Sequence, residues 1–137
     1  MARDKFHYDV RASLENDGWT ITHDPLYLKI GTIQVQIDLG AEKIIAAEKD
    51  GERIAVEIKT FGLTSFITAL YEAVGKYLIY SEALQYYQSD RTLYLAMPTK
   101  VYKEFYEEPI VKNTFQKYDI KIILYKPFSN DKIQWVK

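Results

Sequence analysis

The segment KIIAAEKDGERIAVEIKTF, residues 43–61, holds two apolar runs joined by Asp50-Gly51. Asp-Gly tolerates the positive φ angles of a two-residue hairpin turn, so the runs are predicted to be adjacent antiparallel strands. In the second run Ile54, Val56 and Ile58 alternate with Ala55, Glu57 and Lys59. A period of two puts the branched aliphatics on one face of a strand and the other three residues on the opposite face. Such a strand reads as central, yet it carries a carboxylate and an amine two residues apart.

The flanking segments decide what sheet this hairpin belongs to. Upstream, Ile33, Val35, Ile37 and Leu39 alternate with Gln34, Gln36 and Asp38, which predicts a further strand and hence three consecutive antiparallel-type strands. The chain opens with a helical stripe of Phe6, Val10 and Leu14, beside a more polar face of Asp4, His7, Arg11 and Glu15. Asn16-Asp17-Gly18 ends that helix, with Gly18 suited to a left-handed position. Trp19 to His23 is then a short strand, closed by Asp24-Pro25.

Downstream, residues 63–90 predict a long helix capped by Thr64 or Ser65. Phe66, Leu70, Val74, Tyr77 and Leu84 mark one face. Tyr71, Leu78, Tyr80 and Tyr87 spread the apolar surface further round, as in a helix sandwiched in the fold or buried against a partner. A second copy of the chain is one such partner. Residues 91–98 form a strand that follows a helix, which predicts a parallel crossover from the third strand. Two short helices meet at Glu108-Pro109, a strand follows at 120–127, and 132–137 is a short final strand or tail. The expected architecture is one domain over 1–137, of α/β class leaning to α+β, with a mixed central sheet flanked by helices.

Composition narrows the function classes. The chain is 47% apolar and 27% charged, which excludes a disordered chain. It has no cysteine, which excludes disulfides and thiolate zinc sites and is compatible with a reducing, cytoplasmic location. No secretory leader or bilayer-spanning run is evident. The formal net charge of −1 argues against indiscriminate electrostatic binding to nucleic acid. The charge is uneven: residues 112–137 carry six lysines against Asp119 and Asp131, a balance of +4 that leaves −5 elsewhere. The twelve tyrosines suit half-buried surfaces and favour an interface. His7 and His23 are read as surface or capping residues, with a metal role for His7 beside Glu15 and Asp4 as the alternative.

The polar faces of two strands then come together. Asp38 points away from the apolar face of its strand, as Glu57 and Lys59 do from theirs. In one sheet the two carboxylates converge into an oxygen-rich site for a hard dication, with Mg²⁺ the default and the Ile58 carbonyl a third oxygen. A metal there polarises a phosphodiester, and the nearby lysine orients the attacking water or stabilises developing charge. The plainer alternative is a Glu57–Lys59 ion pair on a solvated face, worth under about 1 kcal/mol.

Asp38 followed by Glu57-Ile58-Lys59 resembles the PD-(D/E)-x-K nuclease core, whose order is helix, three antiparallel strands, helix, strand. The chain resembles still more closely the XisH-type fdxN element excision controlling factors of cyanobacteria. The segments DGWTITHDPL, IDLGAEKIIAAEKDGERIAVEIKTF and YEAVGKYLIY carry this likeness, which spans almost the whole chain. The resemblance implies a restriction-endonuclease-like fold, Mg²⁺ or Mn²⁺ as cofactor, and DNA as a partner. It also implies a role in controlling excision of a DNA element during heterocyst differentiation, with a companion protein, XisI. Asp38 matches the first acid of the motif, although Ile37 stands where a proline often precedes it. Glu57 matches the second acid and Lys59 the lysine. Many of these nucleases add a glutamate from the first helix, for which Glu15 is the match. The helix after the motif often supplies a glutamine near its middle; Lys76 takes that place here, from which a lysine can touch phosphate. Two further readings remain: a non-catalytic regulatory module acting through a protein partner, and a small nuclease toxin held in check by a neighbour.

Overall fold

The computed structural model describes residues 2–27, 44–61, 65–87, 90–128 and 133–136. The elements run α1 (Ala2–Asn16), β1 (Thr20–His23), β2 (Ile44–Lys49), β3 (Glu52–Ile58), α2 (Phe66–Tyr87), β4 (Arg91–Pro98), α3 (Thr99–Phe105), α4 (Pro109–Lys117), β5 (Ile122–Tyr125) and β6 (Gln134–Val136). The strands form one six-stranded mixed sheet whose spatial order equals the chain order. β1, β2 and β3 pair antiparallel, β3, β4 and β5 pair parallel, and β6 returns antiparallel to β5. The α/β class leaning to α+β is therefore what the chain adopts.

Local chemistry explains the joints. Asp50 and Gly51 have φ of 51° and 84°, the two left-handed residues of a tight hairpin turn between β2 and β3. Gly18 has φ of 93° and ends α1: its N–H donates to the Glu15 carbonyl and the Trp19 N–H to the Leu14 carbonyl, both at 3.0 Å. These two bonds satisfy carbonyls that a helix end otherwise leaves open. A side chain at Gly18 would also crowd Lys49, whose Cε lies 3.2 Å from where a Cβ would stand. At the start of α2 the Ser65 hydroxyl accepts from the Thr68 N–H at 3.3 Å, the N-cap geometry.

The sheet is covered on both faces by different helices. On one face Val10 and Leu14 of α1 pack over Ile45, Ala47, Ile54, Val56, Ile58, Ala96 and Ile123. On the other, Leu70, Ala73, Tyr77 and Leu84 of α2 and Val111 and Phe115 of α4 pack over Ala46, Ala55, Leu93, Leu95, Ile122 and Leu124. β4 and β5 are apolar on both faces because both faces are covered, the rule for parallel strands reached through crossovers. Burying a side chain such as Phe115 contributes roughly 1.5–3 kcal/mol.

Two expectations change in detail. The long helix spans Phe66–Tyr87 and is only half sandwiched, because Ile67, Tyr71, Ile79 and Tyr86 remain exposed. The neighbour of β2 on its outer side is β1. The predicted strand at 33–39, and Asp38 with it, lies outside the described residues.

Candidate functional site

β3 carries the site. Its odd-numbered side chains face α2 and its even-numbered ones face α1, so Glu57 shares a face with Ala55 while Val56 and Ile58 pack under α1. Glu57 is only 1% exposed, and its register neighbours are Ile44 on β2 and Leu95 on β4. A carboxylate set between two aliphatic residues costs several kcal/mol to bury unless cations or hydrogen bonds compensate it. Nothing about packing alone asks for an acid at this position.

Lys59 follows on the same face at the end of the strand. Its N–H continues the ladder by donating to the Ala96 carbonyl at 2.9 Å. The side chain is buried, and its Nζ donates to Oε2 of Glu72 on α2 at 3.0 Å. The hydrogen bond and the charge of Lys59, with a smaller contribution from Lys76, hold the Glu72 carboxyl below the usual glutamate range. Lys76 lies one helical turn beyond Glu72 and is half-buried. The structure therefore gathers Glu57, Lys59 and Glu72 on the α2 face near the C-terminal end of a central parallel strand, where open α/β sheets commonly build their sites.

Glu72 went unread in the sequence because it resembles ordinary helix chemistry. A glutamate four residues before a lysine, as with Lys76, is the usual stabilising pair along an exposed helix face. The signal available was tertiary: a crossover helix packed on the face that holds Lys59 must bring some residue of its first turns to it.

The other candidates sit elsewhere. Glu15 is on α1, which covers the opposite face of the sheet, and its half-exposed carboxylate lies 3.9 Å from Arg11 Nε. Among the described residues His7 pairs with Asp24: its Nε2 lies 2.7 Å from Asp24 Oδ1, and Arg11 donates to Asp24 Oδ2 at 2.7 Å. His23 is exposed and its Nδ1 lies 3.0 Å from the Thr22 hydroxyl. Among the described residues no group of three or more His, Cys, Asp or Glu side chains is placed to hold a metal ion. Among them, too, no helix is long and apolar enough to cross a membrane.

The comparisons with known proteins agree with one another. The family model described as XisH protein matches residues 1–133. The chain is similar to the crystal structure of an XisH family protein from Nostoc punctiforme, at 37% identity and a TM-score of 0.88, covering 98% of this chain and 100% of that one. It is similar as well to a fdxN element excision controlling factor protein from Anabaena variabilis, at 36% identity and a TM-score of 0.88, covering 98% of this chain and 99% of that one. No curated protein matches the chain significantly.

Proposed function

Because the chain belongs to the XisH family, we propose that it is an excision controlling factor which acts on DNA through a metal-dependent phosphodiester site on the α2 face of its sheet. The observation that supports this reading is the burial of Glu57 and Lys59 side by side on one face of β3. An acid and an amine are kept there at a cost in desolvation that an aliphatic pair would avoid.

The residues take these roles. Glu57 and Asp38 would hold Mg²⁺ or Mn²⁺ with the Ile58 carbonyl, a hard-oxygen donor set that suits either ion. The ion, when bound, supplies positive charge to the scissile phosphate. Lys59 hydrogen-bonds the attacking water or the developing charge on phosphate. Glu72 orients the Lys59 amine through their direct bond. Lys76, on the same helix, meets a neighbouring phosphate. Glu15 is left out of this donor set because α1 lies over the other face. The companion protein XisI joins the reaction by presenting or restraining the DNA-bound form, in the cytoplasm.

The test is cleavage of supercoiled plasmid or branched DNA with Mg²⁺ or Mn²⁺, by the protein alone and with XisI. Lys59→Ala is expected to lose at least about 100-fold in rate, the scale of a positioned general acid or base. Asp38→Ala and Glu57→Gln should lose activity together with metal binding. Failure of the wild-type protein to cleave under every combination would overturn the proposal.

A second reading keeps the scaffold without the chemistry: a regulatory module that binds a protein partner. The exposed Ile67, Tyr71, Ile79 and Tyr86 on α2 favour it. A calorimetric titration with Mg²⁺ and Mn²⁺ that gives no heat, together with a stable complex on a sizing column, would select it.

A further inference from the structure

The face of the sheet covered by α1 is not covered to its end. Beyond the C-terminus of α1 an open cleft of about 440 Å³ lies between that helix end, the β2–β3 turn and β6. Its walls are aromatic. The rings of Tyr94 and Trp135 meet edge to face with centroids 4.9 Å apart, and those of Trp19 and Trp135 lie 5.6 Å apart at 40°. Its rim is acidic, with Asp50 and Glu52 exposed at the hairpin and Asp17 following α1. The single lysine of the lining, Lys49, is spent on the backbone carbonyl of Asp17. Three acids against one lysine leave a formal charge of −2. The carbonyl end of α1 adds negative potential to the same place.

The two indoles of the cleft differ in their hydrogen bonding. Trp19 is 6% exposed, and its indole N–H is buried with no hydrogen-bond partner among the described residues. A buried donor without an acceptor is costly and uncommon. By contrast the Trp135 N–H reaches Asp17 Oδ2 at 3.4 Å.

From this geometry we infer that the cleft receives the guanidinium of an arginine side chain presented by a protein partner. A guanidinium is planar and weakly hydrated, so it stacks on an aromatic face while its edge donors fork onto carboxylates. An ammonium is compact and strongly hydrated and gains less from the same walls. Free arginine fits worse than an arginine within a chain, since its own carboxylate would face the acidic rim. The cleft lies on the face opposite Glu57 and Lys59, so this inference and the proposed DNA chemistry stand or fall separately.

Trp19 and Trp135 are the only tryptophans of the sequence, so intrinsic fluorescence reports directly on the cleft. The probe is acetyl-Gly-Arg-Gly-amide, titrated into the full chain beside its lysine and citrulline counterparts and free arginine. The expected result is a saturable change with the arginine peptide, and at least about tenfold weaker binding of the other three, because each lacks a fork, a charge or a blocked carboxylate. The Asp50→Asn/Glu52→Gln variant replaces exposed carboxylates by amides of the same shape and brings the formal charge of the lining to zero. It should weaken the arginine peptide about tenfold while its thermal melt matches wild type. No saturable change, or equal binding of the neutral citrulline or the lysine peptide to the wild-type chain, would overturn the inference.

Discussion

Lys59 faces opposing demands from burial and charge: its side chain is nearly sequestered, yet it ends in an ammonium held by a half-exposed Glu72. That exposure screens the pair, which therefore contributes no more than about 1 kcal/mol to stability. Its value lies in aiming the amine. Asp24 is a different case. Burial alone would raise its carboxyl, but hydrogen bonds and charge from His7 and Arg11 outweigh it and leave the group below the ordinary value of 3.8. A folded-state value below the unfolded one means stability that is present above pH 3.8 and lost as pH falls through the folded value. Asp24→Asn should lower unfolding stability near neutral pH by about 1–2 kcal/mol in urea titrations, with the difference closing in acid. Both residues show what the sequence could convey at this scale. Alternation alone placed Glu57 and Lys59 together, because strand parity is local. The partners Glu72 and Asp24 come from other elements, and no local period marks them.

Elements were legible where their ends carry chemistry. Asp50-Gly51, Gly18 and Ser65 each stop or start an element by a backbone requirement that only a few residue types meet. The parallel crossover through α2 followed from chain order. How α2 divides its apolar surface was not legible, since residues on both sides of the helix look alike until the sheet selects one. The sheet selects the side of Tyr77, whose hydroxyl donates to the Leu93 carbonyl at 2.9 Å and accepts from the Lys121 N–H at 3.1 Å. Burial pushes this phenol up to about 12, so it stays a donor across the working pH range. Tyr77→Phe leaves a buried carbonyl and an N–H without that partner, and should cost about 1–3 kcal/mol by denaturant melts. On the other side, Ile67, Tyr71, Ile79 and Tyr86 line one exposed stripe, interrupted by Gly75, where an added side chain would meet nothing. A helix with such a stripe is suited to a partner helix. Sedimentation should show self-association of the wild-type protein, and Tyr71→Glu should shift it to monomer without changing the melt; a monomeric wild type at high concentration would remove the second copy as partner.

At the scale of the molecule, the six described strands lie in the sheet in chain order, so strands adjacent in sequence are adjacent in space. That economy is why the class and the sheet could be read from element order. Which helix covers which face could not, because binary patterning says that a face is buried and not by what. The answer matters for function: α1 and α2 assign the aromatic cleft and the Glu57–Lys59 pair to opposite sides of one sheet. Overall charge is slightly negative while the last 26 residues are basic, so any contact with DNA has to be local rather than spread over the surface.

The alternation along β3 has a corollary for how such a chain can change. Substitutions on this strand alter one side chain and leave the rest in place. A single residue inserted after Ala55 would turn Glu57 and Lys59 under α1 and present Ile58 to Glu72 in their stead. The strand's length is thus less negotiable than its composition.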